Sequence, residues 1–121
     1  MKFFPNQHDF DEKKLFIDDG QLVIPSSASQ DSDQALMELG LVLDGLVSHQ
    51  TTAPFIARRL IQRFVTSNPS SGYIERVAVA FGSDGDLRST IKAILLDPEA
   101  RSPSVLNSKT FGKFKEPLLQ M

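Results

Sequence analysis

Three arginines and a phenylalanine near the middle of the chain are the residues best placed to do chemistry. Arg58, Arg59 and Arg63 follow Phe55 at spacings that put all four on one side of a helix. Guanidinium groups bind phosphate, sulfate or carboxylate through paired hydrogen bonds, and phenylalanine and arginine recur together at protein interfaces. The four residues are therefore a candidate anion- or partner-binding face. The alternative is a charged face that meets only solvent or forms surface salt bridges, which is the commoner arrangement on helices.

The two histidines are the other candidates, as metal ligands. His8 lies beside three carboxylates, Asp9, Asp11 and Glu12, whereas His49 is far along the chain. A metal site formed by His8, His49 and a carboxylate would need three separate parts of the fold to coincide. His49 also has a simpler interpretation, as a residue near a helix C-terminus that interacts with the helix dipole. We therefore predict no bound cofactor, and His8 and His49 stay candidate metal ligands only.

Composition and motifs exclude several classes of function. The 121 residues contain no cysteine, which excludes disulfides and thiolate metal sites. The net charge of −2 gives no general affinity for nucleic acid. No G-x-S-x-G, G-x-G-x-x-G or Walker sequence is present. The first residues lack the apolar stretch of a signal peptide and no apolar run is long enough to span a membrane, so we expect a soluble chain with no membrane partner.

These candidates must be positioned by helices. Residues 51–67 form the clearest amphipathic pattern, with Thr51 or Thr52 as N-cap and Pro54 in the first turn. Further helices are predicted from Asp31 to about Ser48, from Ser70 or Ser71 to Phe81, and after Asp86 up to Asp97. The predicted N-caps are Asp31, Ser70 or Ser71, and Asp86, and Gly82 is predicted to end its helix as a left-handed C-terminal cap. The positions predicted to be buried in the central helix are Ile56, Ala57, Leu60, Ile61, Phe64 and Val65, with Thr66 on the opposite face. In the other three helices they are Leu36, Leu39, Leu43, Leu46 and Val47; Tyr73, Ile74, Val77, Ala78 and Phe81; and Leu87, Ile91, Ile94 and Leu95.

The two ends of the chain carry different patterns. Two β-prone runs, LFI at 15–17 and LVI at 22–24, flank Asp19-Gly20 and predict a small hairpin. Residues 111–121 begin a further helical pattern that stops early. In the segment 97–101, one helix is predicted to end at Asp97-Pro98 and a short further turn to begin at Pro98, with Asp97 and Arg101 as an ion pair. The predicted fold is mainly α, an orthogonal or irregular bundle of four to five helices with a small N-terminal β-hairpin. We expect one helical domain over 1–121, with an extended segment and hairpin at 1–30 and helices at 31–121.

Five segments together resemble the bacterial family known as domain of unknown function 1800. They are HDF at 8–10, TAPFIARRLIQRFVTSNPS at 52–70, YIERVAVAF at 73–81, GDLRSTIKAILLDPEAR at 85–101 and GKFKEPLL at 112–119. The resemblance implies that the chain corresponds to the C-terminal part of members several times longer, which are mostly exported. It supplies no catalytic residue. The chain departs from the family pattern at residues 49–52, HQTT, where members usually have His-Pro-Asn-Thr, and at Ser71-Gly72, where they usually have Ser-Pro.

Two functional hypotheses follow. The first is a non-catalytic helical module with a structural or protein-binding role in a larger bacterial protein. The second is part of an exported hydrolase-like or carbohydrate-processing enzyme, whose anion or metal site is completed by a missing N-terminal part. We favour the first for this chain, with another protein or a second copy as partner. A homodimer would form through the C-terminal segment or the Phe55 face, because exposed apolar surface favours association.

Overall fold

The computed structural model describes residues 4–15 and 22–113 of the chain. The fold divides into two compact units, Met1–Leu46 and Val47–Met121. Its described elements are five α-helices, one two-stranded sheet and two short 3-10 helices. The prediction of a mainly α fold with a small N-terminal hairpin is confirmed.

The first unit begins with a 3-10 helix at Pro5–Gln7 and a hairpin. Strand β1 (Lys13–Leu15) pairs antiparallel with β2 (Leu22–Ile24), and Lys13 lies opposite Ile24. The side chain of Ile24 points inward and is buried, while Val23 alternates to the exposed face, as the two-residue period of a strand requires. The predicted Asp19-Gly20 turn lies outside the described residues.

Helix α1 (Ser32–Ser48) lies in the first unit up to Leu46 and runs without interruption through both of its glycines. Its N-terminus is capped as predicted, because the Asp31 carboxylate accepts a hydrogen bond of 2.8 Å from the Gln34 amide. The predicted buried face is wrong at three of its five positions, whereas Leu39 and Val47 are partly buried. The side chains of Leu36, Leu43 and Leu46 are about half exposed, and the buried residues are Ala35 and Glu38. The helix turns that side inward because Glu38 forms hydrogen bonds with residues of the N-terminal segment and β1.

The second unit contains helices α2 (Thr52–Phe64), α3 (Ser71–Phe81), α4 (Leu87–Leu96) and α5 (Pro98–Arg101), followed by a 3-10 helix at Pro103–Asn107. Its core forms where α2, α3 and α4 meet. The fully buried members of this core are Ala57, Ile61, Tyr73, Val77 and Ile94. The Tyr73 hydroxyl donates a hydrogen bond of 2.6 Å to the Ile94 carbonyl, which joins α3 to α4 through the core.

Side-chain caps and a glycine define the ends of α3 and α4 as predicted. The Ser70 hydroxyl accepts from the Tyr73 amide at 3.1 Å, and the Asp86 carboxylate accepts from the Ser89 amide at 3.0 Å. Gly82 ends α3 with a φ of +66°, a conformation that favours glycine. Thr51 precedes α2, but its side chain makes no capping hydrogen bond, so the hydroxyl cap predicted for Thr51 is wrong, and Thr52 is the first residue of the helix.

Four further burial predictions are wrong in the second unit. Phe64 is 54% exposed although it was predicted to be buried, whereas Thr66 is fully buried although it was predicted to face solvent. The reason is that α2 ends at Phe64 and the chain turns at Val65, so the helical period no longer applies to Thr66. On α4, Leu87 and Leu95 are about half exposed, and the helix instead buries Thr90 beside Ile94.

Candidate functional site

Helix α2 has an exposed side, which we call the α2 face and define as Phe55, Arg58, Arg59 and Arg63. Phe55 is 57% exposed, and Arg58, Arg59 and Arg63 are also exposed. The guanidinium carbon of Arg59 lies 5.4 Å from the centroid of the Phe55 ring, a distance that allows a cation–π contact. The Arg63 carbonyl accepts a hydrogen bond of 2.6 Å from the Lys113 ammonium. The structure therefore keeps three positive charges and an aromatic ring together at the surface.

An open groove runs between α2 and α3 in the same unit. It has a volume of about 490 Å³. Its floor and walls are mainly small or apolar, and its lining residues are Gln50, Ala53, Pro54, Ser71, Ile74, Glu75, Ala78 and Val79. Val79 is 79% exposed at its rim. Among the described residues that line the groove, Glu75 is the only charged one, so the groove suits an apolar occupant better than an anion.

A buried carboxylate, Glu38, is the centre of the polar cluster in the first unit. Glu38 is only 2% exposed. One of its oxygens lies 3.1 Å from His8 Nε2 and 3.0 Å from the Lys13 ammonium, and the other accepts from the Gln34 amide group at 3.4 Å. Burial raises the pKa of Glu38, but the hydrogen bonds from Lys13, His8 and Gln34 outweigh it and leave the pKa below its usual range. The carboxylate is therefore ionised at neutral pH.

The Glu38 cluster borders a small pocket of about 150 Å³. Its remaining lining is apolar and comes from β2 and α1, through Ile24, Ala35, Leu39 and Val42. A histidine beside a carboxylate at such a pocket is an arrangement that can transfer protons. The ammonium of Lys13, however, also donates to the carbonyls of Asp9 and Asp11, so all three of its N–H groups are engaged within the chain. His8 packs edge-on against the ring of Phe10, with ring centroids 4.7 Å apart.

Sequence reasoning identified His8 but missed Glu38 and Lys13. Glu38 stands in the otherwise apolar run ALMELGLVL, and a single charged residue within such a run is the one signal that could have revealed it. His49 belongs to the second unit, where its Nδ1 atom lies 2.9 Å from the Thr51 hydroxyl oxygen. Within residues 4–15 and 22–113, no three histidine, aspartate or glutamate side chains gather closely enough to hold a metal ion.

A second ion network joins α3, α4 and α5. The Arg76 guanidinium binds the nearly buried Asp97 carboxylate through two hydrogen bonds of 2.7 and 2.8 Å. Asp97 also caps α5 by accepting from the Glu99 amide at 2.8 Å, and Glu99 in turn accepts hydrogen bonds from the backbone and hydroxyl of Ser70. The bonds from Arg76 lower the pKa of Asp97 although its burial opposes this. The sequence pattern had indicated Arg101 as the partner of Asp97, and Arg76 was missed.

The Asp97 network also affects Tyr73. Burial, together with the nearby charges of Asp97 and Glu99, raises the pKa of Tyr73 to about 12. Tyr73 therefore keeps its proton at physiological pH, and its hydroxyl donates a hydrogen bond to the Ile94 carbonyl oxygen. Across the described part of the chain, every buried side-chain nitrogen and oxygen atom has a hydrogen-bond partner. None of the helices described there has the length and apolar character that crossing a bilayer requires.

Comparison with known proteins gives the chain a family. The model of the family described as proteins of unknown function, DUF1800, matches residues 1–121. No curated protein and no solved structure shows significant similarity to the chain. The family match covers the segments that suggested the resemblance, from HDF at 8–10 to GKFKEPLL at 112–119. Because the match extends over its whole length, this chain belongs to the DUF1800 family.

Proposed function

We propose that this chain is a non-catalytic helical module that binds another protein through the surface of α2. The proposal rests on one observation, which is that the buried polar groups of the chain bond to one another and to the backbone. Glu38 and Lys13 are occupied by each other and by neighbouring groups, and Asp97 is occupied by Arg76 and the start of α5. A catalytic or ligand site needs polar groups that are aimed at a reacting molecule, not at the fold itself.

The α2 surface supports the protein-binding part of the proposal. Aromatic and arginine side chains are enriched at interface centres, and Phe55 with Arg59 forms such a pair at the surface. Arg58 and Arg63 add two further positive charges to the same side of the helix. We therefore assign Phe55, Arg58, Arg59 and Arg63 to contact with an acidic protein surface, because opposite charge favours encounter and sets orientation.

Ligand-dependent thermal unfolding tests the non-catalytic part. The protein is melted with and without millimolar Zn²⁺, Mg²⁺, phosphate or sulfate. A ligand at 100 times its dissociation constant stabilises the folded state by about 2.7 kcal/mol, which a melting curve easily detects. If the chain is a non-catalytic module, none of these four ligands should stabilise it. The double variant Arg58→Ala/Arg59→Ala and the control Lys92→Ala on α4 show where an anion acts. Stabilisation that is lost only in the double variant indicates binding at the α2 face, whereas an equal change in both variants indicates general screening of charge.

A second candidate function, part of a hydrolase-like enzyme, rests on one specific observation. His8 and Glu38 lie 3.1 Å apart beside an apolar pocket, as a general acid–base pair requires. The same thermal unfolding experiment tests it. Stabilisation by Zn²⁺ or by an anion that disappears in His8→Ala, but persists in Lys92→Ala, would favour the enzyme and contradict the module.

A further inference from the structure

Helix α1 carries an apolar surface that the described residues of the first unit leave exposed. We define the α1 face as Leu36, Met37, Gly40, Leu41 and Leu43. Met37 is 65% exposed, and the three leucines are each about half exposed. Large apolar side chains grouped on one helix are unusual at the surface of a monomer and commonly mark an interaction site. This surface is distinct from the side of α1 that carries Ala35 and Glu38.

Gly40 lies at the centre of the α1 face. Glycine in a helix interior lowers stability relative to alanine, so its presence calls for a reason. A Cβ atom at Gly40 would have nothing within 4 Å, so packing inside the chain does not require the glycine. Leu36, Met37 and Leu43 surround Gly40 at the i−4, i−3 and i+3 positions, which makes a recess of the kind that receives a side chain from a neighbouring helix.

Charge indicates which helix fits the recess. The segment Ser32–Ser48 contains no lysine or arginine, and of its three carboxylates Asp33 and Asp44 are exposed, whereas Glu38 is buried on the other side of the helix. The segment Thr52–Phe64 contains three arginines and no aspartate or glutamate, and it exposes Phe55. One helix therefore presents negative charge around an apolar recess, and the other presents positive charge around an aromatic side chain. Such complementary charge steers association and fixes register.

We infer that the α2 face of one copy of this chain docks on the α1 face of a second copy. Phe55 of one copy packs over Gly40 of the other, and Arg58 and Arg59 lie near Asp33 and Asp44. The inference rests on the proposed function, because it names the acidic protein surface that the α2 face contacts. If the α2 face of each copy docks on the α1 face of the other, the result is a closed two-fold dimer. If only one such contact forms between two copies, further copies can add and longer assemblies result.

Sedimentation equilibrium over a concentration series at low salt tests the inference with the full chain. Wild type is expected to self-associate, and association is expected to weaken as salt screens the charges. Gly40→Leu fills the recess, so it should weaken association about tenfold or more. The same substitution should raise the melting temperature of the monomer, because leucine favours a helix more than glycine does and its Cβ meets no neighbour. Opposite effects on folding and on assembly are the expected signature.

A charge exchange identifies the contacting pair of faces. Arg59→Glu and Asp44→Lys should each weaken association about tenfold, and the double variant should restore most of it. Lys92→Glu on α4 is the matched control and should leave association unchanged. A strictly monomeric wild type, association that is unaffected by Gly40→Leu, or a double variant that is no better than the single ones would each overturn the inference. If wild type is monomeric and the metals and anions do not stabilise it, the inference fails but the proposed non-catalytic module does not. The two failures are therefore distinguishable.

Discussion

Thr66 offers the sharpest test of how the second unit is held together. Its side chain is fully buried just beyond α2, where the hydroxyl oxygen accepts from the Gly112 amide at 3.1 Å. The same hydroxyl lies 3.3 Å from the Gly112 carbonyl oxygen and 3.4 Å from the Asn68 amide nitrogen. Thr66→Val keeps the shape of the side chain and removes this oxygen. The Gly112 amide then loses the partner that the threonine supplies.

The size of the effect follows from which groups lose a partner. A donor left unsatisfied by such a change destabilises the fold by about 1–3 kcal/mol. Thr90 provides a matched control, because it is also fully buried and its hydroxyl donates to the Asp86 carbonyl at 2.6 Å. That carbonyl also accepts from the Thr90 amide at 3.0 Å, so Thr90→Val leaves it paired. We expect Thr90→Val to change the free energy of unfolding by less than about 1 kcal/mol.

Urea titration and amide hydrogen exchange measure the two consequences separately. The midpoint of unfolding should fall clearly for Thr66→Val and little for Thr90→Val, with unchanged slopes. The Gly112 amide should exchange faster only in Thr66→Val, because it loses its acceptor there. Equal destabilisation by the two substitutions, or an unchanged Gly112 exchange rate, would refute the assignment of Thr66 as a residue that holds the loop around Gly112 beside the end of α2.

Three further predictions concern packing, backbone and pH. Ile61→Ala should lower the free energy of unfolding by about 2–5 kcal/mol and Phe64→Ala by much less, because only Ile61 is buried; equal losses in a denaturant titration would contradict the orientation of α2. Gly85→Ala should lower the melting temperature, because Gly85 has a φ of +71° and a new Cβ would lie 3.1 Å from a Val47 methyl carbon. The pKa values of Glu38 and Asp97 are depressed in the fold, so their stabilisation is present at neutral pH and is lost as the pH falls below about 4; a midpoint of urea unfolding that does not change between pH 7 and pH 3 would contradict this.

Local signals in the sequence predicted the helix ends well. Asp31, Ser70 and Asp86 were each expected to cap a helix, and each does so through its own side chain. Gly82 was expected to end α3 and has the positive φ that this requires. These features depend on residues within three or four positions of one another, so a short stretch of sequence contains all the information.

The orientation of the helices depends on distant residues, and there the sequence was insufficient. Helix α1 has apolar side chains nearly all round, so its period alone did not show which side faces its own unit. The deciding contact is made by Glu38, whose partners His8 and Lys13 are 30 and 25 residues away. Arg76 and Asp97, 21 residues apart, were missed for the same reason. Polar pairs at such separations leave no periodic pattern.

The stability of Glu38→Gln tests the central claim most directly. If the Glu38 cluster holds the fold together, removing the charge leaves Lys13 without its buried counter-ion and should lower the free energy of unfolding by about 1–3 kcal/mol. Active-site groups are often retained at the expense of stability, and replacing them commonly stabilises a protein. Urea unfolding of wild type and Glu38→Gln at pH 7 therefore separates the two functions. A clear loss of stability is the result predicted for a structural module, and a gain in stability would contradict it.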